Sequence, residues 1–395
     1  MTTTLGKVCD IYNGNSINAN YKKTHFEGLA EGFPFIATKD VSFNGLVDYD
    51  NGVKIPFDTK YKKAHRGSVL ICAEGGSAGR KIARIDQTVC FGNKLFCLVP
   101  KDNSLIQDFL YYYLLSESFQ DQFKESIAGL IGGVSSSKIK AFNITFPSID
   151  EQRRIVERLK STFDKIDEMQ KNAEQAYEEA KAIYLKQLEL AMTPRKGWKE
   201  AKLKALCSKI GSGATPRGGK KIYISEGCSL IRSLNVHKTF FKYDELAHIT
   251  DQAAQALKGV TIHENDVLFN ITGASIARCC VVPSDILPAR VNQHVSILRT
   301  DGSEILPDFL CYVLNSPQHQ KSLLAIGENG ATRQAITKAD LEGHLVRYPD
   351  IKEQKLIVEK LKTLSDRLKK MENNYAKLIV ELTIFKQAIL KETFE

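Results

Sequence analysis

The chain has 395 residues, of which 43% are apolar and 26% charged, as in ordinary globular proteins, and its length predicts two domains with connecting elements. Its formal net charge of +9 favours a polyanionic partner such as DNA, although many basic proteins never bind nucleic acid. No apolar run approaches the roughly 20 residues that span a bilayer, and residues 1–7 lack a signal core, so we expect a cytoplasmic protein without a membrane partner.

The nine cysteines lie mostly within apolar runs, as at 69–72 and 95–98. An odd number of such cysteines is typical of buried thiols in a reducing compartment and not of a disulfide framework. No pair has the spacing of a zinc knuckle, and we predict no metal site.

Residues 1–147 form the first predicted domain, called the first body below. Short β-branched and apolar runs bounded by Gly, Asn and Asp predict strands at 68–72, 80–85 and 94–99. A helix is expected at about 109–125. The first body is therefore mainly β, with helical additions.

A long helix is predicted over 148–193, because Pro147 suits a helix start and Pro194 follows its end. At about 1.5 Å per residue it would span roughly 65–70 Å. The apolar seam of this central helix is weak and comprises Ile155, Leu159, Ile166, Met169, Ala173, Ala176, Ala180 and Ile183.

Residues 194–348, the second body, repeat the first about 200 residues later. The matched segments are 5–9 with 203–207, 67–71 with 265–269, 109–112 with 309–312, and 147–157 with 349–359. Two copies of one fold suggest pseudo-two-fold symmetry, which suits two half-sites on one DNA molecule. A duplication without such a use is the alternative.

The C-terminal helix, 349–395, carries a stronger heptad seam than the central helix. Its members are Ile357, Leu361, Leu364, Leu368, Met371, Tyr375, Leu378, Leu382, Phe385 and Ile389. The predicted fold class is α+β: two similar mainly-β domains, each followed by a long α-helix. The two helices are expected to pair as an antiparallel coiled coil with pseudo-two-fold symmetry.

Enzyme signatures are incomplete. The segment 75–79, Gly-Gly-Ser-Ala-Gly, matches the G-x-S-x-G nucleophile motif, but a strand is expected after it where that motif needs a helix. The glycine-rich segment 211–220 lacks the spacing of a phosphate-binding loop, and its Pro216 has no N–H to offer. We predict no catalytic residue and no cofactor, with an enzyme using Ser77 as a weak alternative.

Several segments resemble the DNA specificity subunits of type I restriction–modification enzymes. They are 203–216, 265–273 and 289–294 in the second body, then 332–341 leading into 353–361, and 135–139 leading into 151–159 in the first half. The resemblance covers essentially the whole chain. The first half departs from the pattern at 13–16 and 91–94, which leaves its DNA-contacting residues open.

The resemblance implies a non-catalytic subunit whose two target-recognition domains each read one part of a split, asymmetric DNA sequence. It also implies that the paired helices set the gap and dock two methyltransferase subunits, and that restriction subunits join this core. The alternatives are a coiled-coil scaffold whose β domains bind protein or glycan, and an orphan subunit without a methyltransferase.

Candidate DNA contacts are Arg, Lys, Asn and Gln in turn-rich positions, because these side chains suit guanine, adenine and phosphates. They are Asn15, Lys39, Arg80, Lys81, Asn93 and Lys94 in the first body, and Thr215, Arg217, Arg232, Asn235, Asn292, Gln293 and Arg333 in the second. Any of them could instead be a solvated surface residue, and Asn292 and Gln293 could hold a turn.

Overall fold

The structure is a computed structural model that describes residues 1–127, 132–328 and 335–395. The chain divides into two compact units. The first comprises Met1–Ala173 and Ala376–Glu395, and the second comprises Glu174–Tyr375. Each unit therefore contains one body together with part of both long helices.

The first body is built on two small sheets. Its strands are β1 Thr2–Thr4, β2 Cys9–Asn13, β3 Phe33–Ile36, β4 Lys54–Ile55, β5 Lys63–Ala64, β6 Val69–Cys72, β7 Ile82–Arg84, β8 Val89–Phe91, β9 Leu95–Pro100 and β10 Asn143–Thr145. One sheet is antiparallel in the order β2-β9-β6-β7, and the other, β4-β3-β8-β5, contains one parallel pair, β3 with β8. A third, two-stranded pairing joins β1 to β10.

The helices of the first body are α1 Leu5–Val8, α2 Ala19–Phe26, α3 Gln107–Leu115, α4 Glu117–Glu125 and α5 Ser136–Ala141, and the long helix α6, Ile149–Met192, follows. Most helices of the first body pack on the side of the antiparallel sheet, whereas α2 packs on the mixed sheet through Phe26. The single helix expected at 109–125 is wrong in one respect: it is interrupted at Ser116, where the backbone is extended with ψ of 156°. The Ser116 hydroxyl donates to the Tyr113 carbonyl at 2.7 Å, which satisfies the end of α3.

The C-terminal end of the chain completes this core. Phe109 and Leu110 of α3 are buried beneath the sheet. The ring of Phe394 lies 5.3 Å from that of Phe109 and 5.9 Å from that of Tyr113. The first unit therefore needs residues from both ends of the sequence.

The second body repeats this topology. Its strands are β11 Lys199–Lys202, β12 Lys209–Ser212, β13 Cys228–Ile231, β14 Ala247–Ile249, β15 Val267–Asn270, β16 Cys279–Val281, β17 Ala289–Val291, β18 Val295–Arg299 and β19 Leu345–Tyr348. The sheet orders are β12-β18-β15-β16 and β14-β13-β17, with β11 paired to β19. Even the register agrees, since Val69 faces Leu98 in the first body and Val267 faces Leu298 in the second. The predicted repeat is confirmed.

The α-helices of the second half are α7 Leu203–Leu206, α8 Asp251–Ala256, α9 Pro307–Asn315, α10 Pro317–Glu328, α11 Lys338–Gly343 and the long α12 Ile351–Phe394. They follow those of the first half, except that the second half adds α8 and has a 3-10 helix where the first has α2. Short 3-10 helices lie at Gly219–Ile222, Ser233–Asn235, Lys258–Val260, Gly273–Ser275 and Ser284–Ile286.

Within each unit, the segments of α6 and α12 run antiparallel. In the first unit Arg158 donates to Thr393 at 3.1 Å and Asp167 pairs with Lys386 at 2.5 Å. The second unit places Lys360 3.4 Å from Gln187. Partners therefore run in opposite sequence directions, and the expected antiparallel pairing is confirmed.

The predicted seams are partly wrong. Met169 and Ile183 of α6 are 54% and 61% exposed, and Phe385 of α12 is 53% exposed. Because an α-helix has about 3.6 residues per turn, a strict heptad drifts around it, and the contacting face shifts. In the second unit that face carries Tyr177 and Tyr375, whose rings stack at 5.9 Å with an interplanar angle of 3°.

One buried glutamine joins each long helix to its body. Gln152 of α6 is fully buried: its Oε1 accepts from the Ile106 N–H at 2.9 Å, and its Nε2 donates to the carbonyls of Ser104 and Pro147 at 2.8 and 3.0 Å. These bonds satisfy backbone groups at the start of α3 and before α6, where no helical partner exists.

Gln354 of α12 is fully buried and makes the same three bonds. It accepts from the Leu306 N–H at 2.8 Å and donates to the carbonyls of Glu304 and Pro349 at 2.8 and 2.9 Å. Both glutamines lie in the matched segments 147–157 and 349–359, so the two halves share this junction in sequence as well as in structure.

Replacing either glutamine by leucine should destabilise the protein by roughly 2–4 kcal/mol, because a fully buried amide and its three hydrogen bonds to the backbone are lost. Urea denaturation of Gln152→Leu and Gln354→Leu would measure this loss. Gln175→Leu is the control, since Gln175 is exposed on α6. Equal stability of all three variants would show that the junction contributes little.

Candidate nucleic-acid interface

A glycine brings the first loop of each body tightly against a neighbouring strand. A Cβ at Gly14 would lie 2.0 Å from the Phe91 carbonyl oxygen, and one at Gly213 would lie 2.0 Å from that of Val291. Only glycine permits such an approach. The two loops are therefore equivalent, although residues 13–16 lack the sequence pattern of the second body.

In the first body, most of the predicted residues lie on connected loops. Lys81 Nζ donates to the Thr38 carbonyl at 2.9 Å, so the loop that carries Lys39 contacts the β6–β7 turn that carries Arg80. Arg80 is exposed, and the Lys39 side chain is 65% exposed. These cations form one basic surface.

Two more predicted residues of the first body follow strand β8. Asn93 and Lys94 are both exposed, and Lys94 pairs with Glu74 at 3.1 Å. Asn15 is different, because its Oδ1 accepts from the Lys62 N–H at 2.7 Å. This hydrogen bond joins two loops.

In the second body, the corresponding loops surround a cleft of about 610 Å³. Its polar lining includes Ser233, His237, Lys242, Thr272, Arg278 and His294. None of these six was predicted. Arg278 had a signal, because it follows Gly-Ala-Ser-Ile-Ala as Arg80 follows Gly-Gly-Ser-Ala-Gly in the first half.

The side chain of Asn235 is fully buried, which disfavours the direct DNA contact expected of it. Its Nδ2 donates to the carbonyls of Lys242 and Asp244 at 3.0 and 3.2 Å, and its Oδ1 accepts from the Arg232 N–H at 3.0 Å. Asn235 therefore holds the loop in shape.

Arg232 is also directed into the body. Its side chain is 14% exposed, donates to the Glu245 carbonyl and lies 5.6 Å from the centre of the Tyr223 ring. These contacts favour a structural role over a contact with DNA.

Asn292 adopts the alternative role considered for it, because its Oδ1 accepts from the His294 N–H at 3.1 Å and closes a turn. Gln293 is exposed at that turn, with its Nε2 3.1 Å from His294 Nε2. His294 Nδ1 lies 2.7 Å from Thr272 Oγ1.

The last predicted residues lie outside this network. Thr215 and Arg217 are exposed on the loop that follows Gly213. Arg333 lies outside the described residues.

Burial shifts the pKa values of several titratable groups of the second body. Burial, reinforced by the charge of Arg278, lowers the pKa of His237, so this histidine is neutral at neutral pH. Burial raises the pKa of Cys207 to about 12 and that of Cys279 well above its ordinary value. Such thiols are poor nucleophiles.

The Ser77 motif forms a hairpin turn, because β6 and β7 pair antiparallel on either side of it. The nearest side-chain partner of Ser77 Oγ is the Cys72 sulfur at 3.4 Å, which provides no general base. Across the described part of the chain, no group of three or more His, Cys, Asp or Glu side chains could hold a metal ion.

None of the helices in the described residues combines the length and the apolar character that a bilayer crossing requires.

Comparison with known proteins gives a consistent result. A family model described as "Type I restriction modification DNA specificity domain" matches residues 1–176 and 195–378. The chain is 22% identical over 432 residues to the type I restriction enzyme EcoBI specificity subunit of Escherichia coli, covering 99% of this chain and 84% of that one. It is 23% identical to the StySPI specificity subunit of Salmonella potsdam, with 91% and 81% covered.

Two solved structures share the fold. One comes from work on complex assembly and conformational transition of the type I R-M system, and it matches with a TM-score of 0.75 at 18% identity over 100% of this chain and 97% of that chain. The other is the HsdS subunit from Thermoanaerobacter tengcongensis, with a TM-score of 0.54, 18% identity and coverage of 100% and 96%.

Asn235→Ala should lower the free energy of unfolding by roughly 2–3 kcal/mol, since it removes a fully buried amide and the three hydrogen bonds that hold the loop. Thermal denaturation would detect this change. Asn93→Ala is the matched control, because Asn93 is exposed, and it should shift stability by less than about 0.5 kcal/mol. A loss at Asn93 as large as that at Asn235 would contradict the assignment.

Proposed function

The chain belongs to the family of type I restriction–modification DNA specificity subunits, and we propose that each of its bodies reads one part of a split, asymmetric DNA sequence. In this proposal 1–147 and 194–348 are the target-recognition domains, and 148–193 and 349–395 are helical spacers. The subunit confers sequence choice in the cytoplasm and catalyses nothing itself.

One observation carries the proposal: both bodies present equivalent loops with exposed cationic and amide side chains. The proposed contacts are Lys39, Arg80, Lys81, Asn93, Lys94, Thr215, Arg217, Gln293 and Arg333. Asn15, Arg232, Asn235 and Asn292 are assigned to shaping the loops. A net charge of +9 supports attraction to the phosphate backbone.

The long helices support a spacing role. Each has 44 residues, which corresponds to about 66 Å of helix. Each is joined to its body by three side-chain hydrogen bonds of one buried glutamine, so a change in helix length should change where the loops are held.

Exposed apolar side chains on these helices support docking of two methyltransferase subunits, with restriction subunits joining them. Met169 of α6 and Val380, Ile384 and Phe385 of α12 are 53–63% exposed in the first unit. Ile183 and Leu356 are 61% and 62% exposed in the second. Large apolar groups left on a helix surface are typical of protein interfaces.

The proposal is tested by mapping methylated adenines in DNA from cells that make this chain with the methyltransferase encoded beside it. We expect one split sequence, methylated only when the chain is present. Methylation that is independent of the chain would contradict the proposal. The absence of a neighbouring methyltransferase gene would favour the orphan alternative.

Arg217→Ala should weaken duplex binding and reduce the salt dependence of log K by about 0.9, the value for one lost phosphate contact. Fluorescence anisotropy at several salt concentrations would measure both quantities. Arg347→Ala is the control, because Arg347 is exposed on β19 and pairs with Glu200 away from the loops. An unchanged slope for Arg217→Ala would remove it from the interface. Arg333→Ala is expected to behave as Arg217→Ala does.

Deleting one heptad from both long helices should shorten the gap between the two recognised parts by about 3 base pairs, since seven residues span about 10 Å of helix. Suitable deletions are residues 167–173 and 379–385, which face each other in the first unit, and the methylation map gives the result. Complete loss of methylation would also fit a disturbed docking surface. An unaltered gap would show that the helices do not set the spacing.

A further inference from the structure

Both bodies hold one loop in the same unusual way. The loop follows β3 in the first body, where the buried Asp40 accepts from the Ala37 N–H at 2.8 Å and its carbonyl accepts from the Asp48 N–H at 2.8 Å. In the second body Asn235 accepts from the Arg232 N–H, and its carbonyl accepts from the Lys242 N–H at 2.8 Å.

Each loop then turns back on itself. A single bridge joins Val41 to Val47 in the first body and Val236 to Phe241 in the second. The loops 37–48 and 232–242, called the paired tips below, are therefore equivalent structures that differ in sequence.

The paired tips expose aromatic rings to solvent. Phe43 is 64% exposed, and Leu46 beside it is 66% exposed. Phe240 is 48% exposed. The exposed part of these rings, most of Phe43 and about half of Phe240, gains nothing from folding because it stays in water. A binding role accounts for it.

Cationic side chains lie beside these rings. Arg80 Cζ is 5.3 Å and Lys81 Nζ is 5.2 Å from the centre of the Phe43 ring. In the second body the ring of His237 stacks on Phe240 at 4.8 Å with an interplanar angle of 20°. Arg278, in the repeat position of Arg80, lines the same cleft as His237.

We propose that Phe43 and Phe240 stack on DNA bases, one in each part of the recognised sequence, while Arg80, Lys81 and Arg278 contact the adjoining phosphates. This inference rests on the proposed function and names the residues that act at its site. DNA is the occupant that fits, because an apolar ring flanked by cations complements a base face flanked by phosphates. A ring that docks on an apolar protein surface does not require flanking cations.

The test uses the complex of this chain with its methyltransferase subunits and a duplex that carries the mapped sequence. 2-Aminopurine placed at successive positions reports its own unstacking from adjacent bases through a rise in its fluorescence. We expect Phe43→Ala to abolish the signal in one part of the sequence and Phe240→Ala to abolish it in the other. Each variant should lose about 5- to 100-fold in affinity, with an unchanged salt slope.

Three variants separate stacking from other effects. Phe43→Trp should retain affinity, because tryptophan also stacks. Arg80→Ala should reduce the salt slope, as a phosphate contact requires. Phe57→Ala is the matched control: Phe57 is 58% exposed in the first body, and its ring packs on Phe33 at 5.0 Å. It should bind DNA as the unmodified protein does.

The outcomes distinguish this inference from the function on which it rests. If the unmodified complex binds its sequence but both alanine variants keep their affinity and fluorescence, the stacking inference is overturned and the proposed function stands. If Phe43→Ala binds methyltransferase poorly but the assembled fraction binds DNA normally, the tip faces protein and the inference is again overturned. A complex that ignores duplex DNA would overturn both.

Discussion

The arrangement depends on the junction between each body and its helix. A long helix can hold a binding loop in place only if its end cannot pivot. At both junctions a single amide supplies this restraint, because Gln152 and Gln354 each bond three backbone groups from two segments in a buried setting. Breaking such a network leaves unpaired polar groups in the interior, so the junction resists rotation as well as separation.

The polar side chains around the loops have two different roles. Asp40 and Asn235 point inward and fix the backbone of the loops. Asn93 and Arg217 are exposed and can meet a ligand. Asparagine serves both purposes, since Asn235 is buried and Asn93 is exposed.

Much of the architecture could be predicted from the chain itself. The repeat, the long helices and the hairpin nature of the Ser77 segment were all visible, because they depend on patterns that extend over many residues. The Glu-Gln match at 151–152 and 353–354 was visible as well, although its purpose was not. A sequence match does not reveal that an amide is buried.

The individual interface residues were harder to predict. Asn235 and Arg278 both occupy turn-rich stretches, and the sequence favoured the buried one over the one that lines the cleft. The exposed rings of Phe43 and Phe240 resemble core residues by composition. The helix seam failed for a related reason: Met169, Ile183 and Phe385 fit the heptad spacing, but the contacting face rotates away from them.

The packing of Phe394 on Phe109 has a consequence for how the protein is made. The second unit is one continuous stretch, Glu174–Tyr375, whereas the first is closed only by Ala376–Glu395. On a ribosome that adds about 5–20 residues per second, the aromatic surface of α3 waits roughly 15–60 s for its covering helix. The half that is synthesised first is thus the last to be finished, and during that interval it is the part most open to chaperones and proteases.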